Sequence, residues 1–435
     1  MFKAPHSLLL LSSALLATIV LPLHAQDLHL IPLKSSGIYS SGEDAGWHVE
    51  KSGSEAAKPG VYHYVLKKNG RETIQSGSLD LQTGAQTISV RGTEAAMLFL
   101  EITQDGGKRQ LAGAAIEPSQ LKPVCPRPAD FDAFWSAQIA KLKNIPAKPE
   151  LKAAASGREG VDYATLRLDN IDGSHVYGQL AKPTRKGKFP AILILQWAGG
   201  PYPLQKSWVT DRAAEGWLAL NIEPHDVPGD LPAEFYAALP QLIKRYNSIY
   251  DNDRERCYFL RMYLGAYRAL DYLADDPDWD GKTLLVMGSS MGGQQSLAVA
   301  GLHPKVTHVM ANVPAGADAN AALHGRAESY PNWDSSKPAV METARYFDTI
   351  NFAPRIKATC LVSMGFIDET CPPAGVWTLF NLIPGPKEVA PLIEAGHNNA
   401  SSREQQRLYN ERSQIWLDAL VRGKAAPVQA NPVTH

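Results

Sequence analysis

The chain has 435 residues, 44 acidic side chains against 43 Lys and Arg, and a formal net charge of -1. That balance excludes the basic excess with which nucleic-acid binders displace counterions from phosphate. With 44% hydrophobic and 20% charged residues, there is enough apolar surface to offset the entropy of ordering, so a disordered chain is excluded too.

In chain order, Lys3 precedes an apolar run from Leu8 to Leu23, and Leu23-His24-Ala25 ends on a small residue. A basic start, a hydrophobic centre and such an end predict a secretory signal peptide over residues 1–25, hence a secreted or periplasmic protein. The run of 16 residues is broken by Ser12, Ser13, Thr18 and Pro22. It falls short of the ~20 needed to span a bilayer, so no stable membrane anchor is expected.

From 26 to 117 the pattern changes every few residues. Val61 to Leu66 runs into the turn signal Asn69-Gly70, Thr87 to Val90 alternates, and Ala96 to Ile102 ends at Asp105-Gly106-Gly107. Short strands with closely spaced turns predict a small immunoglobulin-like β-sandwich. It carries no catalytic constellation and reads as a packing, spacer or glycan-binding module. A Pro-rich linker, 118–128, precedes a catalytic domain over 129–425 and a flexible tail over 426–435. Phe131, Phe134, Trp135, Ile139 and Leu142 have helical spacing and read as core.

Beyond residue 160, apolar strands alternate with helices. The strands are Ala191–Leu195, Gly216–Ile222, Thr283–Met287, Val306–Val313, Ala358–Met364 and Lys387–Ile393, with a long helix over Tyr258–Leu273. Uninterrupted apolar strands predict a mainly parallel sheet covered on both faces, with its site at the carboxyl ends of the strands. After Thr283–Met287 stands Gly288-Ser289-Ser290-Met291-Gly292-Gly293, a G-x-S-x-G between strand and helix. Such an elbow exposes the Ser290 hydroxyl, and the amide of Met291 faces a developing oxyanion. A serine nucleophile needs a base, and the base an orienting carboxylate. Asp368 follows the fifth of these strands and His397 the sixth, with Glu369 as the rival acid. The loop after Ala191–Leu195 offers Gly199 as the second oxyanion donor, with Trp197 and Tyr202 as walls for a sugar or acyl group. His225 follows a strand and is a candidate for substrate contact, while His303, at a helix end, is expected to face solvent. No cluster has metal-ligand spacing and no phosphate cradle stands out, so neither metal nor cofactor is expected. Cys125, Cys257, Cys360 and Cys371 leave buried thiols and disulfides equally open.

On these residues the chain resembles the acetyl xylan esterase and cephalosporin C deacetylase family, carbohydrate esterase family seven, of the α/β-hydrolase superfamily. The resemblance runs from about Pro128 to His397. It rests on Pro128 to Trp135, Arg261 to Ala266, the elbow, Tyr346 to Lys357, and Asp368 with Cys371-Pro372-Pro373. It implies an α/β-hydrolase fold behind the β-sandwich, with Ser290, Asp368 and His397 as nucleophile, acid and base. It also implies a serine esterase that releases acetate from acetylated xylan, xylo-oligosaccharides or similar small esters. Where the family carries His-Gly-Tyr in the oxyanion loop, this chain has Trp197-Ala198-Gly199; where it carries Gln after the serine, this chain has Met291. After Val313-Pro314 the family's bulky residues give way to Ala315-Gly316-Ala317. Ala315 is therefore expected to leave room for acyl groups longer than acetyl. The oligomeric state stays open, because the N-terminal module could block the family's ring-shaped hexamer. Two alternatives remain: another serine hydrolase of this fold, such as an aryl or cinnamoyl esterase or a peptidase, and a non-catalytic carbohydrate-binding protein.

Overall fold

The computed structural model describes residues 28–52, 61–82, 84–104, 107–397 and 404–430. The expected signal peptide, 1–25, lies outside the described residues. Among the described residues, no helix is long and apolar enough to cross a membrane.

Among its described residues the N-terminal module has eight strands: β1 (Leu28–Pro32), β2 (Ile38–Tyr39), β3 (Asp44–Lys51), β4 (Tyr62–Lys68), β5 (Glu72–Leu79), β6 (Gln86–Arg91), β7 (Ala96–Gln104) and β8 (Gln110–Ile116). They form one sheet in the order β1-β3-β6 and a second in the order β2-β8-β7-β4-β5. Pairing is antiparallel except between β2 and β8. The two sheets share a core in which Trp47, Val49 and Ile88 of the first meet Leu66, Leu100 and Ala114 of the second. The β4–β5 turn uses Asn69 and Gly70, both at positive φ (50° and 71°), as a tight hairpin requires.

Nine strands make the large sheet: β9 (Glu150–Ala154), β10 (Val161–Asp169), β11 (His175–Pro183), β12 (Phe189–Leu195), β13 (Leu218–Glu223), β14 (Trp279–Ser289), β15 (His308–Asn312), β16 (Thr359–Gly365) and β17 (Lys387–Leu392). Their order is β17-β16-β15-β14-β12-β13-β11-β10-β9. Strands β12 to β17 pair in parallel. The antiparallel edge β9–β11 lacks the unbroken apolar runs of the parallel strands: β9 is exposed throughout and β10 mostly half-buried, while Gln179 and Lys182 interrupt the mostly buried β11.

Among the described residues, nine α-helices accompany the sheet: α1 (Phe131–Lys143), α2 (Ser207–Glu215), α3 (Ala233–Leu242), α4 (Tyr258–Asp275), α5 (Met291–Leu302), α6 (Pro338–Phe347), α7 (Thr349–Phe352), α8 (Pro373–Leu382) and α9 (Arg407–Val421). Strand β12 shows why its sequence is apolar without a break. Leu193 and Leu195 enter the core with α4, α5 and α8, while Ile192 and Ile194 enter the one with α2 and α9. A strand sandwiched between helix layers buries both faces of its pleat.

The linker is part of the packing. Leu121 is buried, and the Asn381 side-chain amide donates to the carbonyls of Pro118 (2.9 Å) and Leu121 (3.1 Å). The start of the expected tail is fixed as well: Pro427 accepts from Arg412, and the Gln429 amide donates to Glu388 at 2.9 Å. All four cysteines are free thiols.

Candidate active site

Strand β14 delivers Ser290 to the start of α5 in a backbone conformation of φ 55° and ψ -120°. That region is strained for a residue with a Cβ, and such strain persists only when the surroundings hold it. Here the Ser290 amide donates to Asn312 (2.9 Å), and the Ser290 carbonyl accepts from Gln294 (2.9 Å) and Ala315 (3.1 Å). The flanking glycines are required by close approach: a Cβ on Gly288 would lie 2.5 Å from the Gly292 backbone, and one on Gly292 2.4 Å from the Leu195 carbonyl.

Strand β16 ends at Gly365 and β17 at Leu392, so the loops carrying Asp368 and His397 rise from the same carboxyl edge as the elbow. The structure brings the three predicted side chains together. Ser290 Oγ lies 2.8 Å from His397 Nε2, and His397 Nδ1 lies 2.8 Å from Asp368 Oδ2. The other Asp368 oxygen accepts from the amides of Thr370 (2.9 Å) and Cys371 (2.7 Å), which fixes the carboxylate in one plane. Asp368 is 2% exposed. In such surroundings a hydroxyl can pass its proton to the imidazole, and the carboxylate stabilises the imidazolium that forms. Glu369, the rival acid, points away and pairs with Arg109 at 2.9 Å.

The oxyanion candidates come from adjacent strands. Leu195 of β12 stands opposite Gly288 of β14, so the loop bearing Gly199 emerges beside the elbow bearing Met291. Trp197 is 39% exposed and its ring lies 5.1 Å from that of Trp208. Both line a cavity of ≈ 280 Å³ that reaches Gly288 and Ser289, with Ser207 and Asp211 at its polar side. Ala315 is fully buried, its amide on the Ser290 carbonyl, so a methyl group is all its side chain places beside the elbow.

Tyr202 is half-buried, with its hydroxyl buried and its ring 6.3 Å from that of His225. Two expectations are corrected. His225 does not line the cleft, being 5% exposed with Nδ1 2.8 Å from the Tyr258 hydroxyl. Burial pushes Glu223 up to about 8 and His225 down to about 3, so both are neutral in the fold near pH 7. His303 does not face solvent either. It is 3% exposed, with Nε2 3.2 Å from Asp271, because the end of α5 is covered by α4.

Sequence reasoning missed two sets of neighbours. Cys371 is buried beside Asp368 and His397, and burial together with the Asp368 charge pushes its thiol well above the usual range. Tyr246 donates to the Met291 sulfur at 2.9 Å and its hydroxyl meets that of Tyr330, which steadies the residue behind the elbow. The Cys-Pro-Pro segment offered a signal for the first. The second joins residues far apart in sequence and offered none.

Comparison with known proteins bears on the family and the fold. The acetyl xylan esterase (AXE1) family model matches residues 117–415. Acetyl esterase Axe7A of Xylanibacter ruminicola is 31% identical over 376 residues, covering 84% of this chain and 85% of its own. Among solved structures, the acetyl xylan esterase from Paenibacillus sp. R4 superposes with a TM-score of 0.57 at 23% identity, over 68% of this chain and 98% of its own. Acetyl xylan esterase 1 from Thermoanaerobacterium sp. JW/SL YS485 gives 0.55 at 21% identity, over 68% and 97%. These two share the α/β-hydrolase fold of the large domain. The chain belongs to the acetyl xylan esterase family and is an esterase, a hydrolase of carboxylic esters.

Proposed function

We propose that the chain removes acetyl groups from acetylated xylan, xylo-oligosaccharides or similar sugars through an acyl-enzyme on Ser290. The observation that carries this reading is the hydrogen-bonded line Ser290–His397–Asp368, 2.8 Å at each step. His397 Nε2 takes the Ser290 proton as Oγ bonds to the ester carbonyl carbon. The oxyanion is held by the amides of Met291 and Gly199. Collapse breaks the bond to the sugar oxygen, which leaves with the proton from His397. A water then gives a proton to His397 and attacks the acyl carbon, releasing acetate and restoring Ser290.

A saccharide substrate is supported by the exposed Trp197 ring and its partner Trp208 beside the elbow. An indole offers a sugar ring an apolar face with a polar edge. Export is the reading of residues 1–25, so the site of action is outside the cytoplasm, on polymer or oligomer esters. It is tested by sequencing the amino terminus of the mature protein: a start near Gln26 supports it and an intact Met1 overturns it.

The test of the reaction is Ser290→Ala, assayed on p-nitrophenyl acetate and acetylated xylan. Loss of a triad nucleophile costs about 10⁶ in turnover. Retention of more than about 1% in a folded sample overturns the assignment. Trp197→Ala is expected to raise KM for acetylated xylo-oligosaccharides several-fold and leave KM for p-nitrophenyl acetate unchanged.

A further inference from the structure

The N-terminal module lies outside residues 117–415, the stretch matched by the family model, yet it touches the loops that carry the acid and the base. Arg109, just before β8, grips Glu369 with both ends of its guanidinium: Nη1 donates to Oε1 at 2.9 Å and Nη2 pairs with Oε2. Glu369 is the neighbour of Asp368. Strand β8 also presses on the start of the same loop: a Cβ on Gly113 would fall 2.5 Å from the Phe366 carbonyl, so only a glycine permits this approach. On the base side, Gly37 lies against Ile393, four residues before His397. The β4–β5 hairpin reaches a third segment, its Asn69 carbonyl accepting from the Ala327 amide at 2.9 Å, while Tyr330 donates to the Thr370 carbonyl at 2.8 Å.

The acid loop needs such support because its two flanks differ. On the inner side the Ile367 amide donates to the Ala395 carbonyl (3.2 Å), tying the loop to the one that bears His397. On the outer side lies a cavity of ≈ 300 Å³ between the domains, lined by Met97, Leu98 and Phe99 of the module, by Phe366 and Pro372 of the loop and by Pro373 at the start of α8. Side-chain packing is therefore incomplete on that flank, and Glu369, the partner of Arg109, is one of the residues that line it. Planar, two-point pairing fixes orientation as well as distance.

We propose that the N-terminal module is a positioning element for the catalytic acid. Arg109 clamped on Glu369, with β8 seated on Phe366, holds the loop so that Asp368 meets His397. The clamp acts through Asp368 and touches no substrate. It rests on the reading of Asp368 as the acid, so Asp368→Asn is measured alongside: near-normal turnover in that variant would refute the acid assignment, independently of the clamp.

The test uses the full chain and p-nitrophenyl acetate at 25 °C. Arg109→Glu sets a third acid beside Glu369 and Glu101, which Arg109 also contacts at 3.4 Å. Both Arg109→Glu and Glu369→Arg are expected to lower kcat about tenfold with KM within about twofold of wild type. The exchanged pair, Arg109→Glu with Glu369→Arg, is expected to recover kcat to within about threefold, the coupling expected of residues in direct contact. Single reversals that leave kcat within twofold of wild type overturn the proposal, as does a loss that the exchanged pair fails to recover. Should a reversal abolish cooperative melting, Arg109→Gln carries the test: about a threefold fall in kcat with melting retained supports the clamp, and an unchanged kcat overturns it. A purely structural contact would lower the melting temperature and leave kcat per folded molecule alone.

Discussion

Replacing Asp368 by Asn isolates the charge and the tautomer without disturbing shape. In the native site Oδ1 accepts from two backbone amides, at 2.9 and 2.7 Å, and Oδ2 faces His397 Nδ1 at 2.8 Å. The amides of Thr370 and Cys371 can only donate, so the Asn oxygen must stay on them and the NH₂ must face His397. Nδ1 then has to accept, which moves the imidazole proton to Nε2, against Ser290 Oγ. The lone pair that should take the serine proton is gone, and the negative charge that supports the imidazolium is gone with it. A wrong tautomer in such a triad costs about 10⁴ in turnover, or about 5.4 kcal/mol at 1.36 kcal/mol per factor of ten. Stability should fall far less than in Asp368→Ala, because the side chain keeps its shape and every buried donor keeps an acceptor. Asp368→Ala is the contrast, since it strands both amides in a buried site at about 1–3 kcal/mol each and should lower the melting temperature visibly. The assay is kcat/KM on p-nitrophenyl acetate near pH 7.5, with thermal melting followed by circular dichroism. An Asn variant that keeps more than about 1% of wild-type kcat/KM refutes the reasoning.

Ala315 leaves only a methyl beside the elbow, so p-nitrophenyl propionate and butyrate should be cleaved within about tenfold of the acetate, roughly 1.4 kcal/mol. A hundredfold collapse from acetyl to propionyl in a chain-length series would show the site closed. Glu223, raised to about 8 by burial, stays protonated in the fold while the unfolded chain ionises near pH 4.3. Its contribution is therefore fully present below pH 4.3 and lost as pH rises to 8. Between 4.3 and 6.5 the acid-side loss from His225, lowered to about 3 by burial, opposes it. The net fall in stability thus shows between pH 6.5 and 8, up to about 2 kcal/mol at 1.36 kcal/mol per pH unit. Glu223→Gln should flatten melting temperature against pH in that window, and an unchanged slope contradicts the assignment. Arg412→Met should cost about 3–5 kcal/mol, because Glu388, 3% exposed, would be left charged and buried. Chemical denaturation reads this directly, and a loss under 1 kcal/mol would show that Trp416 and Gln429 suffice to satisfy the carboxylate.

The linear sequence determined the strand-elbow-helix around Ser290, the parallel strands from Phe189 to Leu392 and the two loop residues that complete the triad. These are local signals: runs of apolar residues long enough to be a doubly covered strand, and glycines where backbones must meet, as Gly292 does at Leu195. The order of strands then fixes which loops share an edge, so Asp368 and His397 could be placed by counting strands. Side-chain direction at half-buried positions was decided only by tertiary packing. His225 follows a strand as substrate-binding residues often do, yet it turns inward, since the space around α3 and α4 is filled by aromatic rings. His303 is buried because α4 covers the end of α5, which nothing near it in the chain announces. The grip of Arg109 on Glu369 was equally hidden, for it joins residues 260 positions apart. Contacts between separate domains depend on how two finished surfaces meet, and no periodicity or spacing within either one encodes that meeting.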